Sequence, residues 1–164
     1  PPRTVQVLKE LGTMIQSRLS NDLAKTAKIE ASETRAPGAK RTYGVNNLTD
    51  GSTTTYWATN DGTKHATLTF TWDSAQTLRY VSLMELVAKG QRVKKFKLEV
   101  SQDGTNFRPV AENIKQTTIG YKRIIPLNGS TQNSYSGQGI QAKALRVTIE
   151  DAKACPLLKS VAIY

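Results

Sequence analysis

The sequence predicts an all-β fold, an antiparallel β-sandwich or jelly roll preceded by one N-terminal α-helix. Three observations predict it. Apolar residues alternate with polar ones at a period of two in several separate segments. Turn pairs such as Asp50-Gly51, Asp61-Gly62 and Asp103-Gly104 divide those segments. A three-to-four-residue period is confined to the first 27 residues. Period two is the mark of a strand with one face in a core, and many short strands with no helices between them indicate a sandwich.

The helix comes first. From Thr4 to about Ala27, the residues Val5, Leu8, Leu11, Ile15, Leu19 and Leu23 fall on one face, with Lys9, Glu10, Gln16, Arg18 and Asp22 on the other. Such a stripe needs a cover, supplied either by the following domain or by an upstream one. Residues 1–27 are accordingly read as a helix left over from, or linking to, a preceding domain, and residues 28–164 as the sandwich.

The clearest strands are Ala66–Trp72, Phe96–Val100 and Leu145–Ile149, each with strict alternation. Lys28–Ser32, Leu78–Val87, Tyr121–Leu127 and Leu158–Tyr164 are further candidates. Lys89-Gly90, Asn128-Gly129 and Gly137-Gln138-Gly139 add turns, and residues 129–139, rich in Ser, Asn, Gln and Gly, read as a long polar loop. Trp57 and Trp72 are expected in the core.

Composition narrows the function classes. With 38% apolar and 22% charged residues the chain is an ordinary globule, and no stretch approaches the roughly 20 apolar residues of a membrane span. The chain opens on Pro1-Pro2 without an initiator Met, so it reads as an excised piece whose targeting signal would lie upstream. A net charge of +10 raises nucleic acid as a partner. The basic groups Arg92, Lys94, Lys95, Lys97 and Lys122-Arg123 alternate with apolar residues and lack interleaved aromatics, so no nucleic-acid or membrane partner is expected. Cys155 is the lone cysteine; its setting, Ala154-Cys155-Pro156-Leu157-Leu158, predicts a buried, inert thiol.

Catalytic constellations are hard to assemble. His65 is the one histidine, with no acid that spacing assigns to it, so a nucleophile-base pair and a zinc site are both disfavoured. No phosphate-cradling glycine loop precedes a helix. The 13 acids fall mostly in turns or on strand faces where solvated charge is the simple reading. The chain is therefore expected to be non-catalytic.

The segment Val45-Asn46-Asn47-Leu48-Thr49-Asp50-Gly51-Ser52-Thr53-Thr54-Thr55-Tyr56-Trp57 is the most informative. Oxygen-bearing side chains around an Asp-Gly turn can converge on a hard cation such as Ca²⁺. Equally, Asp50 and Thr55 can pin a tight loop by hydrogen bonds, with no metal.

This segment resembles the early signature of discoidin, or coagulation-factor type C, domains, which include the family 32 carbohydrate-binding modules. Phe96-Lys97-Leu98-Glu99-Val100-Ser101-Gln102-Asp103-Gly104-Thr105-Asn106-Phe107 is similar to their strand and following Asp-Gly turn. The closing Ala144–Ile149 and Ser160–Tyr164 are similar to their last strands. Within that group, Met84–Phe96, Thr117–Ile124 and Ala154–Leu157 resemble the C-terminal sandwich of family 29 α-L-fucosidases, and the helix resembles the stretch that ends their catalytic barrel. β-Hexosaminidases carry similar modules.

The resemblance implies a galactose-binding-domain-like sandwich serving a secreted exo-glycosidase as a weak glycan-binding accessory, with the catalytic carboxylates upstream. It also implies a periplasmic or extracellular site, a monomeric module, and partners limited to glycan and the upstream domain. The other reading is a purely architectural domain that packs on the barrel and binds nothing. For a structural Ca²⁺ the matching positions are Asn47, Asp50, Ser52, Thr55 and Ala162, although the family usually has Glu where this chain has Ala162. For sugar, the family's galactose-binding His is replaced by Ala58, so a different sugar is implied at the same loops. Tyr56, Asn60, Asp61, Glu85, Arg92 and Tyr121 are the candidates there.

Overall fold

The computed structural model describes residues 2–110, 118–127 and 139–164. Among the described residues the helix α1 (Pro2–Arg18) leads into ten strands: β1 (Lys28–Ala31), β2 (Trp57–Ala58), β3 (Ala66–Leu78), β4 (Tyr80–Met84), β5 (Val93–Ser101), β6 (Arg108–Pro109), β7 (Arg123–Pro126), β8 (Ile140–Ala152), β9 (Leu157–Leu158) and β10 (Ser160–Ile163). One sheet runs β1-β3-β8-β5-β6, a second β10-β4-β7, and a short ribbon pairs β2 with β9. Every pairing among the described residues is antiparallel. The chain is an antiparallel β-sandwich with one N-terminal helix, as its sequence predicts.

The alternation decides which faces meet. On β3 the inward set is Ala66, Leu68, Phe70 and Trp72, and on β5 it is Phe96, Leu98 and Val100. The central strand β8 sets Leu145, Val147 and Ile149 between them in register. The smaller sheet contributes Val81, Leu83, Ile125, Val161 and Ile163 to the same apolar cluster. Phe70, Trp57 and Phe96 are at most 1% exposed, and each contributes on the order of 2–3 kcal/mol by leaving water. Both tryptophans lie in this core. Cys155 is buried as expected.

Several boundaries differ from the sequence-based reading: β4 ends at Met84 and Val87 opens a 3-10 turn, the expected Leu158–Tyr164 strand is split between β9 and β10, and two further ends have a visible cause. The helix ends at Arg18, not near Ala27. Asp22 breaks it by capping a new 3-10 turn, Leu23–Thr26: its carboxylate accepts from the N–H of Ala24 at 3.0 Å and from that of Ile163 at 3.0 Å. The turn is thereby tied to β10, Ala24 enters the core, and Trp72 Nε1 donates to the Leu23 carbonyl at 2.9 Å. Leu23 thus serves the sandwich and not the helical stripe. Leu78 closes β3 and does not open β4, because a bulge between Thr71 and Gln76 carries β3 past the end of its alternation and back into register with β8.

The polar loop expected at 129–139 lies outside the described residues except for Gly139. At that position φ is +76°, and a Cβ would stand 2.7 Å from the Leu78 carbonyl oxygen, so only glycine fits without displacement.

Candidate functional site

The loops following β1, β2, β4 and β8 are joined by a chain of polar contacts. Arg35, just past β1, is its hub. Its Nε donates to the Thr59 carbonyl at 3.0 Å, and its Nη2 reaches both the Asp61 carboxylate and Cys155 Sγ, the latter at 3.3 Å. Burial opposes the charge on Arg35, and the pairing with Asp61 nonetheless holds its pKa above the usual value. Arg92 approaches Cys155 from the other side, donating from Nη1 to Sγ at 2.8 Å and to the Cys155 carbonyl at 3.0 Å. Beside Arg35, Asn60 donates to Glu33 at 2.6 Å, and Thr63 and Asn60 together hold the Glu33 carboxyl below the usual range.

Glu85 is 1% exposed and is wholly committed to backbone. Its carboxylate accepts from the N–H groups of Arg92 (2.8 Å), Val93 (2.9 Å) and Gly120 (2.8 Å). A buried carboxylate needs such donors, and here they fix the loop before β5 against the turn that presents Tyr121. Tyr56 is also buried, 6% exposed, and packs with Tyr43, Ala58, Leu86 and Leu157. Arg41 and Lys89 stand over its ring at 5.6 and 5.9 Å, and Arg35 stands over Tyr43 at 5.6 Å.

Of the six glycan candidates, the structure therefore joins Asp61, Arg92 and Glu85 in one network, with Asn60 bonded to Glu33 beside it and Tyr56 packed in the small cluster with Tyr43. Glu85 and Tyr56 lie inside, where they brace loops and offer no surface for a ligand. Asn60 and Asp61 are exposed, Arg92 is half-buried, and Tyr121 is 67% exposed. Arg35, Arg41, Tyr43 and Lys89 were invisible to sequence reasoning, because their partners lie far along the chain and no local spacing marks them.

The Asp50 loop closes on itself. Asp50 Oδ1 accepts from the Ser52 N–H at 2.8 Å and Oδ2 from the Thr55 hydroxyl at 2.7 Å, while Ser52 Oγ takes the N–H groups of Thr54 and Thr55. Asn47 is buried and donates to the carbonyls of Thr42 and Tyr56, both at 2.9 Å. Ala162 sits on β10 opposite Ser82. The all-oxygen donor set fits a hard cation in kind, with Asp50 its single carboxylate. Among the described residues no group of three or more His, Cys, Asp or Glu is placed to hold a metal.

His65 is exposed at the head of β3. The basic residues of β5 are each matched to an acid: Lys94 to Asp151, Lys95 to Glu150 and Lys97 to Glu99.

Two stacked antiparallel sheets with braced loops at one end define a discoidin-like β-sandwich. A family 32 carbohydrate-binding module (CBM32) of Clostridium perfringens, solved with GalNAc-β-1,3-galactose, shares this fold with a TM-score of 0.65 at 18% identity, over 88% of this chain and 99% of that one. The chain belongs to the F5/8 type C domain family, whose model matches residues 22–158. Over 98% of its length it is 26% identical to a protein of Oryza sativa subsp. japonica provisionally named α-L-fucosidase 1, of which it covers 28%. A GH29 fucosidase of Ruminococcus gnavus, solved with fucose, superposes with a TM-score of 0.79 at 26% identity, over 97% of this chain and 29% of that one. The chain thus spans less than a third of the length of these fucosidase relatives.

Proposed function

We propose that this chain is the accessory carbohydrate-binding module of an exported glycoside hydrolase of α-L-fucosidase type, and that it binds glycan weakly at the loop end of the sandwich without catalysing a reaction. One observation carries the reading. Tyr121 presents an aromatic ring, 67% exposed, on a turn that the buried Glu85 holds through Gly120. An exposed ring on a fixed support is the usual stacking surface for a sugar, and Asn60, Asp61 and Arg92 supply hydrogen-bonding groups in the braced loops nearby. A shallow site of this kind acts by raising local concentration, holding a tethered enzyme near its substrate.

Family membership and the fucosidase relatives support the parent's class. A periplasmic or extracellular parent and a monomeric module are part of the same proposal. A second reading, docking against an upstream domain, is favoured by the helix, whose apolar residues are 49–61% exposed at Val5, Leu8, Leu11, Met14 and Ile15. The purely architectural reading, in which the loops bind nothing, is the alternative that the test below separates; docking by the helix is itself compatible with glycan binding at the loops. On this view residues 1–27 are the connection and 28–164 the module. A structural Ca²⁺ held by Asp50, Thr55 and the carbonyls of Asn47, Ser52 and Ala162 is part of the proposal, and it would raise Tm with Ca²⁺ over EDTA.

A glycan array probed with the whole chain tests the function. Retention of fucose-, galactose- or N-acetylglucosamine-bearing glycans, lost in Tyr121→Ala, is expected. Signals at background for wild type, or equal signals for wild type and Tyr121→Ala, would refute the assignment.

A further inference from the structure

The outer face of the five-stranded sheet carries a second polar surface. Cross-strand register sets Glu30, Thr69, Arg146 and Glu99 in one transverse row. The neighbouring row holds Thr67, Thr148 and Lys97, with Ser32 bonded to Thr67 at its edge. Together these residues line an open groove of about 380 Å³, at the lower end of the range for ligand sites.

Arg146 is the unusual member. Its guanidinium lies 3.6 Å from the centroid of the Phe107 ring, so stacking fixes its plane. Its Nε is buried and has no acceptor among the described residues. The nearby Glu99 is committed elsewhere, accepting from Lys97 Nζ at 3.0 Å and from the Thr148 hydroxyl at 3.3 Å. Guanidinium donors are seldom left unmatched in a half-buried setting, because an unmade hydrogen bond there costs more than a made one gains.

We infer that this groove binds a neutral oligosaccharide, with Arg146 as its central hydrogen-bond donor. Charge decides against an anion. Glu30 and Glu99 share the row of Arg146, the first paired with Lys28 and the second with Lys97, both at 3.0 Å, so an anionic group seated on Arg146 would meet two carboxylates whose own cations are already engaged. Vicinal hydroxyls both donate and accept, and the rows offer carboxylates, threonine hydroxyls and guanidinium within one surface. An open groove gives an extended ligand several shallow contacts, which implies millimolar affinity. The inference rests on the module's being a glycan binder, but it places a second site that does not depend on Tyr121.

Titration of the ¹⁵N-labelled chain with lacto-N-tetraose, a neutral tetrasaccharide, tests it, with a hyaluronan tetrasaccharide as the anionic comparison. Saturable shifts are expected at the Arg146 Nε–H and at the amides of Thr69 and Thr148 with the neutral ligand. Arg146→Ala should weaken the face site at least tenfold and leave shifts around Tyr121 unchanged. Thr69→Val, which keeps strand propensity, should weaken it several-fold and guards against a folding defect in the first variant. Tyr121→Ala should remove the loop-end shifts and leave the face shifts intact. Face residues silent at millimolar tetrasaccharide while the loop end responds would overturn the groove alone. Silence at both places would overturn the glycan reading as well. Preference for hyaluronan, or unchanged face binding in both groove variants, would also overturn the inference.

Discussion

The helix and the sandwich obey opposite rules. Leu68, Phe70, Leu98 and Val147 are at most 1% exposed, whereas Leu8 on the helix is 61% exposed and Leu11 49%. Both regions carry a correct apolar pattern, at period two and at three to four. Only the sandwich meets its own second layer. The helix touches it near its end, where Arg18 Nη1 donates to the Tyr80 hydroxyl at 3.3 Å. Pattern establishes that a face is made for burial; it does not say what buries it. The relatives sharpen the contrast. The family model starts at residue 22, after the helix, while the fucosidase match of 98% includes it. The alignment to the fucosidase relative thus takes in the residues of the helix, which the family model does not.

Mutations on the two sides of this contrast should separate widely. Phe70→Ala opens a cavity between the sheets and should cost about 3–5 kcal/mol in urea unfolding. A loss under 1 kcal/mol would mean that the sheets are less tightly packed than described. Glu85→Ala strips acceptors from three backbone N–H groups and should cost about 2–3 kcal/mol, with amide exchange rising first at Arg92, Val93 and Gly120.

A smaller effect is expected at Asp103. The N–H groups of Asn106 and Thr105, then the side chains of Asn106 and Ser101, hold its carboxyl far below the usual carboxylate range. The folded pKa is depressed, so the stability it adds is present above the unfolded value near 4 and is lost as pH falls below it. Thermal melts of wild type and Asp103→Ala should therefore differ at pH 7 and converge on acidification. A gap that stays constant with pH would contradict this. Smallest of all, Leu8→Ser should change stability by no more than about 0.5 kcal/mol, since the side chain has little to lose. A large loss would show that the stripe is covered by this chain itself.

Most of the fold was legible because strand alternation is local. Ala66–Trp72, Phe96–Val100 and Leu145–Ile149 all lie within observed strands. The helix end is not legible because Leu19 and Leu23 continue the three-to-four step, while the Asp22 bond that ties the following turn to the sandwich reaches Ile163, 141 residues away. The two-residue strands Trp57–Ala58 and Arg108–Pro109 are too short to carry a period. At the loop end, residue type identified Asn60, Asp61 and Arg92 as surface chemistry. Nothing in Glu85's neighbours reveals that three backbone N–H groups would close on it. Arg35 and Arg146 owe their importance to partners brought together by the fold, so a linear reading passes over them.

The central claim is that the sandwich recognises glycan through its braced loops. A ¹⁵N NMR titration of the whole chain with fucose, galactose and N-acetylglucosamine, with and without Ca²⁺, tests it most directly. Saturable shifts centred on Asn60, Asp61, Arg92 and Tyr121 with at least one sugar are the predicted result. No shift at those residues for any of the three, in a chain whose spectrum is dispersed and folded, would contradict the claim and leave the helix-docked architectural role in its place.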